Sequence, residues 1–265
     1  MEDNKEQIYQ KALQEASLTE LELPSKGKLY PKDNILSKGV VNVLEMTGKH
    51  ENILLSQKFR KNNTQYEELL RQLIVEKYVG FKPEDLVIED KLYLIIAIRI
   101  INLGQYINVK SFMCPHCYQH SENQQVDLGE LKDNERKVQP DTDNINEFTT
   151  TLPKSGDKVT LGILTSGDEL ELQKIMEKIG GSNDTDGISY LFAILIKKIN
   201  GDVQSLGTKK EYYDDLPIRD TKHIQKFLSD CTGNNSLRVD WKCPKCNEIS
   251  ERTLQFTEEF FFPEI

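Results

Sequence analysis

Some stretches of the chain space their hydrophobic residues as a helix does, and others alternate them with polar residues as a strand does. The two kinds of stretch fall in separate blocks. In the first half, residues 40–46 have the short apolar pattern of a strand, and Thr47 is a candidate cap for a helix after it. Leucines at helical spacing predict a longer helix over residues 65–78. A buried helix is predicted over residues 89–103, where Gly104 would end it.

The second half repeats this division into strands and helices. Residues 148–152 and 158–163 alternate as in a hairpin, with Ser155-Gly156-Asp157 in the turn. Three helices are predicted to follow, one from a cap at Thr165 or Ser166 to about residue 180, one over residues 188–199 and one over residues 217–231. Because helices and hairpins fall in separate blocks, we expect an α+β fold. Residues 4–16 predict a short amphipathic arm.

Two short cysteine stretches are near copies of each other. Phe112-Met-Cys114-Pro-His-Cys117 and Trp241-Lys-Cys243-Pro-Lys-Cys246 contain four of the five cysteines. Strand-like residues flank each stretch and predict hairpins over residues 106–128 and 237–256. A Cys-x-x-Cys turn at a hairpin tip is half of a tetrahedral zinc site. The sequence therefore predicts a split four-cysteine zinc ribbon, in which Cys114, Cys117, Cys243 and Cys246 hold one structural Zn²⁺ and join the two distant hairpins.

Other roles for these cysteines fit less well. Cys-Pro-His-Cys also occurs in thioredoxin-like oxidants, but the residues after Cys117 lack the apolar spacing of the helix such a site needs. A disulfide pairing is disfavoured because the chain begins without a signal-peptide pattern, so its thiols are expected to stay reduced in a cytoplasm. His120 is an alternative ligand. Cys231, at the end of a predicted helix, is expected to be a small buried side chain.

Composition narrows the range of functions. The net charge is −9, which disfavours binding to nucleic acid through its phosphates. The longest apolar run, residues 92–101, is interrupted by Arg99 and is too short to span a membrane.

No phosphate-binding glycine loop, metalloprotease helix or nucleophile elbow is present, so we expect no catalytic residues and no enzymatic activity. A zinc-ribbon factor that binds nucleic acid or acts in transcription is the alternative.

The end of the chain is rich in aromatic residues. Phe260, Phe261 and Phe262 precede Pro263. One interpretation is that they complete the core and anchor the terminus. The other is that they insert into a partner, since exposed aromatic clusters mark interfaces, and these four residues are the predicted partner-binding residues.

The predicted elements divide the chain into three parts. Residues 1–131 would hold the arm, the first helices and the first cysteine hairpin. Residues 132–147 are polar and predict a linker. Residues 148–265 would hold a hairpin, a three-helix segment, the second cysteine hairpin and the aromatic end.

Several motifs, in their order along the chain, resemble one family. They are Leu23-Pro-Ser-Lys-Gly-Lys-Leu-Tyr-Pro31, Leu86-x-x-x-Asp90 before a helix with Arg99 and Gly104, the first Cys-Pro-x-Cys, Leu152-Pro-x-x-Gly156, Leu164-Thr-x-Gly-Asp-Glu169, Leu216-Pro-x-x-Asp220, the second Cys-Pro-x-Cys and Phe-Phe-Phe-Pro263. This order is similar to that of the baseplate hub family of T-even-type contractile-tailed bacteriophages.

The resemblance implies a non-enzymatic structural or assembly component of the central hub of a tail baseplate. Its partners would be other hub and tail proteins, namely the tail-spike complex and the tape-measure protein, and a homo-oligomer is an open alternative. Its location would be the host cytoplasm during assembly and the tail baseplate of the virion.

Overall fold

The structure is a computed structural model, and it describes residues 7–12, 17–131, 136–179, 184–233, 237–254 and 258–262. The fold is α+β, as predicted, because several small antiparallel sheets are interspersed among helices. Residues 7–12, within the predicted arm, are helical.

The first half of the chain begins with a two-stranded sheet and ends with the first cysteine hairpin. Its strands are β1 (Leu18–Glu22), β2 (Val40–Leu44), β3 (Tyr106–Met113) and β4 (His120–Asp127), and its helices are α1 (Gly48–Leu55), α2 (Gln57–Lys61), α3 (Gln65–Leu73) and α4 (Ile88–Leu103). Short 3-10 turns lie at Ile35–Lys38, Val75–Val79, Pro83–Asp85 and Leu128–Glu130. β1 pairs with β2, and β3 pairs with β4.

The second half has the same general order with a third strand added to its sheet. Its strands are β5 (Phe148–Thr151), β6 (Lys158–Leu161), β7 (Ile196–Ile199), β8 (Arg238–Lys242) and β9 (Ile249–Thr253), and its helices are α5 (Ser166–Lys178), α6 (Asp184–Leu195), α7 (Leu206–Asp215), α8 (Ile218–Cys231) and α9 (Glu258–Phe261). The sheet order is β5-β6-β7, and β8 pairs with β9.

Local sequence explains where two of the helices begin and end. Thr165 caps α5, since its hydroxyl accepts a hydrogen bond from the Asp168 amide at 3.1 Å and its own amide donates to the Asp168 carboxylate at 2.9 Å. Gly104 ends α4 with a φ of 84°, a left-handed value that favours glycine. Both boundaries confirm the predictions.

Two helix predictions need correction, and one helix was not predicted. The helix predicted over residues 65–78 ends at Leu73, because Ile74 is extended and forms a bridge with Val43. The helix predicted over residues 188–199 ends at Leu195, because Ile196–Ile199 pairs with β6 instead. Leu206–Asp215 is a helix that the hydrophobic pattern did not predict, so the described residues of the second half form four helices before the cysteine hairpin rather than three.

Three clusters of buried side chains hold these elements together. The largest joins the first half to the second cysteine hairpin and the C-terminal helix, and includes Leu69, Leu94, Val239 and Phe260. A second cluster lies among β5, β6, β7 and the helices of the second half. A third, small cluster contains the four cysteines of the two cysteine hairpins. Residues of both halves therefore meet in the first and third clusters.

Candidate metal centre

The tips of the two cysteine hairpins meet and bring four sulfurs together. The Sγ atoms of Cys114 and Cys246 are 3.6 Å apart, and those of Cys117 and Cys243 are 3.8 Å apart. All four Sγ atoms lie within 4.8 Å of one another. Zinc–sulfur bonds of about 2.3 Å in a tetrahedron give sulfur–sulfur distances of about 3.8 Å. A disulfide needs about 2.0 Å. The spacing therefore fits four thiolates around a metal ion, and the cysteines are free thiols.

Both cysteine turns have the same backbone conformation. Tyr118 donates its amide hydrogen to the Cys114 carbonyl at 3.0 Å, and Asn247 does the same to the Cys243 carbonyl at 2.8 Å. Tyr118 and Asn247 both adopt left-handed φ values, of 57° and 62°. The Lys245 amide donates to the Cys243 sulfur at 3.4 Å. The two halves of the site are thus built alike, and amide hydrogens point toward sulfur as a bound thiolate requires.

Hydrogen bonding favours a thiolate at Cys114 in spite of its burial. Cys114 and Cys243 are fully buried, whereas Cys117 and Cys246 are half-buried. Burial alone would raise the pKa of Cys114, but amide hydrogen bonds from Cys117 and His116 and contacts with the other sulfurs lower that pKa to about 6. The thiolate is the form that binds metals, so the surroundings of Cys114 suit a metal ligand. At Cys246 the Glu248 amide lowers the pKa, but burial and the neighbouring sulfurs raise it to about 12, so that without a metal ion the cluster favours one thiolate at Cys114 and a thiol at Cys246.

Aromatic side chains close one side of the sulfur cluster. The rings of Phe112 and Trp241, which precede the two cysteine turns, lie with their centroids 5.3 Å apart. The Arg252 guanidinium lies over both rings, at 5.9 Å from Phe112 and 5.4 Å from Trp241, and donates to the Met113 carbonyl. Phe112 and Trp241, one from each hairpin, thus pack against the cysteines and against each other, with a cation–π contact from Arg252.

The remaining candidate ligands lie outside the cluster. His116 and His120 are exposed, and among the described residues the grouping of side chains that could hold a metal contains only the four cysteines. Cys231 is fully buried in the main core, as predicted, and burial raises its pKa to about 12.

The aromatic residues at the end of the chain pack against its own core. Phe260 and Phe261 are buried, and the Phe260 carbonyl accepts a hydrogen bond from Arg99 Nε at 2.7 Å. Phe262 is half-buried, and Pro263 lies outside the described residues. Their predicted role in partner binding stays a prediction. Phe260 and Phe261 would have to leave the core to reach a partner.

A buried aspartate in the first half holds a loop that the sequence did not single out as a site. Asp90, in the first turn of α4, accepts hydrogen bonds from the Ser25 amide at 2.9 Å, the Ser25 hydroxyl at 2.6 Å and the Tyr30 hydroxyl at 2.6 Å. These donors belong to the Leu23-Pro-Ser-Lys-Gly27 loop and its continuation. Asp90 therefore fixes this loop to the start of the helix that leads into the first cysteine hairpin.

A second aspartate does the same in the second half. Asp220, in the first turn of α8, accepts hydrogen bonds from the Lys154 amide at 2.8 Å and the Ser155 amide at 2.9 Å. These donors belong to the Leu152-Pro-Lys-Ser-Gly156 loop. Asp90 and Asp220 are both fully buried.

The paired features recur at a nearly constant spacing. Leu152 follows Leu23 by 129 positions, Asp220 follows Asp90 by 130, and Cys243 follows Cys114 by 129. A fixed offset between like motifs is the signature of an internal repeat, and it was present in the sequence beyond the cysteine stretches. The chain thus consists of two related halves, and the cysteine cluster lies where they meet.

The fold and the site define a class of α+β protein in which two related halves share a four-cysteine centre that can hold a metal ion. The chain belongs to the family of T4 bacteriophage base plate proteins, whose family model matches residues 17–262. None of the curated proteins and none of the solved structures compared with it matches the chain. The family gives the protein a structural role in a phage baseplate, with other baseplate proteins as its partners.

The described helices do not include a membrane span, since none of them is both long and apolar enough to cross a bilayer.

Proposed function

We propose that this protein is a non-enzymatic component of the central hub of a contractile tail baseplate, or a factor that assembles that hub. The observation that carries the proposal is the family match over residues 17–262. The order of motifs along the chain, which resembles that of hub proteins, supports the assignment to the hub in particular. In this role the protein acts by presenting a fixed surface to other tail proteins.

A structural zinc ion is part of the proposal. Four cysteine thiolates would occupy every position around a tetrahedral Zn²⁺, so no position is left for a substrate or an activated water. The ligands would be Cys114, Cys117, Cys243 and Cys246. A closed site of this kind supports a structural role and gives no support to a catalytic one.

The energy of zinc binding is large enough to join the two halves. Between Cys117 and Cys243 lie 125 residues. Closing a flexible loop of that length costs about 4 kcal/mol. Structural zinc sites supply about 10–16 kcal/mol in small peptides. The cost falls further because the hydrogen bonds of Asp220 to Lys154 and Ser155 already join distant parts of that loop.

The proposed partners are the tail-spike complex and the tape-measure protein, which meet at the centre of a baseplate. The protein would bind them in the host cytoplasm during the late phase of infection and would then be found in the tail baseplate. A net charge of −9 favours protein partners over nucleic acid in this setting.

An in vitro complementation experiment tests the proposal. Cells infected with a phage that lacks this gene should accumulate the other tail proteins without assembled hubs. Adding the purified protein to an extract of these cells should restore hub assembly. The number of hubs should rise in proportion to the amount added, because a structural component is consumed stoichiometrically. The number of hubs, counted by electron microscopy, is the measurement.

Hub assembly that is normal without the protein would contradict the proposal. Full restoration by a trace amount would exclude a component that is built into the hub and would leave an assembly factor that acts repeatedly. A Cys231→Ala variant serves as the control for cysteine substitution, since Cys231 lies outside the sulfur cluster, and it should restore assembly better than Cys114→Ser.

A further inference from the structure

An apolar groove lies beside the first strand of the protein. It has a volume of about 380 Å³ and runs between β1 and the outer side of α4. Its walls include Thr19, Leu21, Tyr93, Ile96, Ile100 and Leu131. Burial and the Glu22 carboxylate raise the pKa of Tyr93 in the groove wall. Binding pockets are commonly apolar clefts of about 300–1,000 Å³, so the groove is a candidate binding site.

The backbone of β1 offers hydrogen bonds along the same groove. Leu23 donates to the Gly39 carbonyl at 2.8 Å, and the antiparallel register places Leu21 opposite Val41. Hydrogen-bonded positions alternate in an antiparallel pair, so the Leu21 amide, like that of Leu23, faces β2. The amides of Glu20 and Glu22 therefore point away from β2. Among the described residues, β1 pairs with no strand other than β2.

The opposite edge of this sheet is already closed. Ile74 forms a bridge with Val43 of β2. The Glu76 carboxylate accepts hydrogen bonds from the Asn42 amide at 3.0 and 3.1 Å. Only the β1 edge of the two-stranded sheet is therefore left without a partner within the described part of the chain.

The second half of the protein shows what lies at the equivalent place. Thr149, which is 129 positions after Glu20, is on the outer edge of β5, and its amide donates to the Asp141 carboxylate at 3.0 Å. The amides of Lys137 and Val138 donate to the Asp230 carbonyl of α8 at 2.9 and 3.1 Å. Residues 137–141 thus run between the helix and the strand edge, and the described residues of the first half leave the corresponding space open as the groove.

We propose that an extended segment of another protein binds along β1 as an added strand and places its apolar side chains in the groove. This inference deepens the proposed function, on which it rests, by naming a surface for a tail partner. The segment would alternate apolar residues, facing Leu21 and Ile96, with lysine or arginine residues, facing Glu20 and Glu22. Main-chain hydrogen bonds supply affinity in this mode of recognition, and the alternating side chains supply specificity.

Charge argues for this occupant over a second copy of the chain. Glu20 and Glu22 are exposed, and no described residue forms an ion pair with either. Two β1 strands paired with each other would bring four carboxylates together, and like charges on neighbouring strands are destabilising. Within the protein's own arm, Tyr9 lies toward the opposite edge of the sheet, since its hydroxyl donates at 3.3 Å to Glu76, which also binds Asn42 of β2.

Peptide binding to the full, metal-loaded protein tests the proposal. The probe is a fluorescent octapeptide that alternates valine and lysine, and its anisotropy is followed as protein is added. A peptide that alternates valine and glutamate, and one with the same valines and lysines in two blocks, are the controls. Saturable binding of the first peptide and much weaker binding of both controls are expected.

Variants of one residue separate strand addition from simple charge attraction. Glu20→Pro removes an amide hydrogen that the protein itself does not use, and proline is tolerated at such an edge position. Glu20→Ala removes the same charge but keeps the amide. Glu20→Pro should weaken binding about tenfold or more relative to Glu20→Ala, a change of about 1.4 kcal/mol or more. If Glu20→Pro fails to fold, Ile96→Lys replaces it as the test variant. This substitution places a charge in the groove wall and should abolish binding.

Several outcomes would overturn the inference. They are no saturable binding, equal binding by Glu20→Pro and Glu20→Ala, and equal binding of the block peptide. Self-association of the wild-type protein that Glu20→Pro abolishes would assign β1 to a second copy instead. Each of these results leaves the complementation experiment unaffected, so the failure of this inference and of the proposed function are distinguishable.

Discussion

Asp90 and Asp220 occupy the same position in the two halves of the chain. Each is the third residue of its helix, each is fully buried, and each binds a Leu-Pro-x-x-Gly loop of its own half. A buried carboxylate that accepts several hydrogen bonds is costly to remove, because its donors are left without partners. The pair therefore explains how two separate loops are held at the starts of the helices that lead to the metal centre.

Removing either carboxylate should destabilise the protein. We expect Asp90→Ala to lower the free energy of unfolding by about 2–4 kcal/mol, because three buried donors lose their acceptor. Asp220→Ala should lower it less, because its two donors are amides of the exposed residues Lys154 and Ser155. Urea denaturation followed by circular dichroism measures the change. Asp33→Ala, at an exposed aspartate, is the control and should stay within about 0.5 kcal/mol of the wild type. Equal stability of all three variants would contradict this account of the loops.

Asp220 should also make stability depend on pH. Burial opposes ionisation, but amide hydrogen bonds from Lys154 and Ser155 keep the pKa of Asp220 below its usual value. A carboxylate with a lowered pKa in the folded state stabilises the protein above its unfolded pKa, and this contribution is lost as pH falls through the folded pKa. The stability difference between wild type and Asp220→Asn should therefore narrow as pH is lowered from 7 toward 3. A constant difference, measured by urea denaturation at each pH, would exclude this role.

Much of the site could be predicted from the sequence because its signals are local. The Cys-Pro-x-Cys spacing, the strand-like flanks and the Thr165 cap each depend on a few neighbouring residues. The sulfur cluster can be predicted because each Cys-x-x-Cys stretch supplies two of the four ligands that a tetrahedral zinc ion needs. The two stretches are therefore expected to meet.

The rest depends on contacts between distant residues. Ile74 and Ile196 end apolar runs that suit a helix or a strand, and their pairing with Val43 and Leu161 decides the outcome. Asp90 resembles an ordinary acidic residue in the first turn of a helix until Ser25 is placed against it. The sequence alone did not decide whether the aromatic residues at the end of the chain pack in the core or bind a partner. In the structure Phe260 and Phe261 pack in the main core, and Arg99 donates a hydrogen bond to the Phe260 carbonyl.

Loss of the C-terminal aromatic residues should affect folding first. Phe260→Ala should lower the free energy of unfolding by about 3–5 kcal/mol, because it removes a fully buried ring. Phe262→Ala is the matched control and should cost much less, since Phe262 is only half-buried. Thermal denaturation of the two variants side by side gives the comparison. If Phe260→Ala is as stable as Phe262→Ala, the ring does not anchor the terminus.

Alkylation should divide the cysteines into two classes. A folded, metal-loaded protein should react slowly with iodoacetamide at all five cysteines, and mass spectrometry identifies the modified positions. After a chelator is added, Cys117 and Cys246, which are half-buried, should react first. Cys231 should stay unmodified until the protein unfolds, because burial raises its pKa to about 12 and leaves little thiolate. Reaction of Cys231 before the other two would contradict this arrangement.

The central claim is that one metal ion joins sulfurs from the two halves. Native mass spectrometry of the purified protein measures it most directly. We expect a mass that corresponds to one zinc ion per chain, and we expect a chelator to remove that mass and lower the melting temperature together. A folded protein that carries no metal, with a melting temperature that the chelator leaves unchanged, would contradict the account.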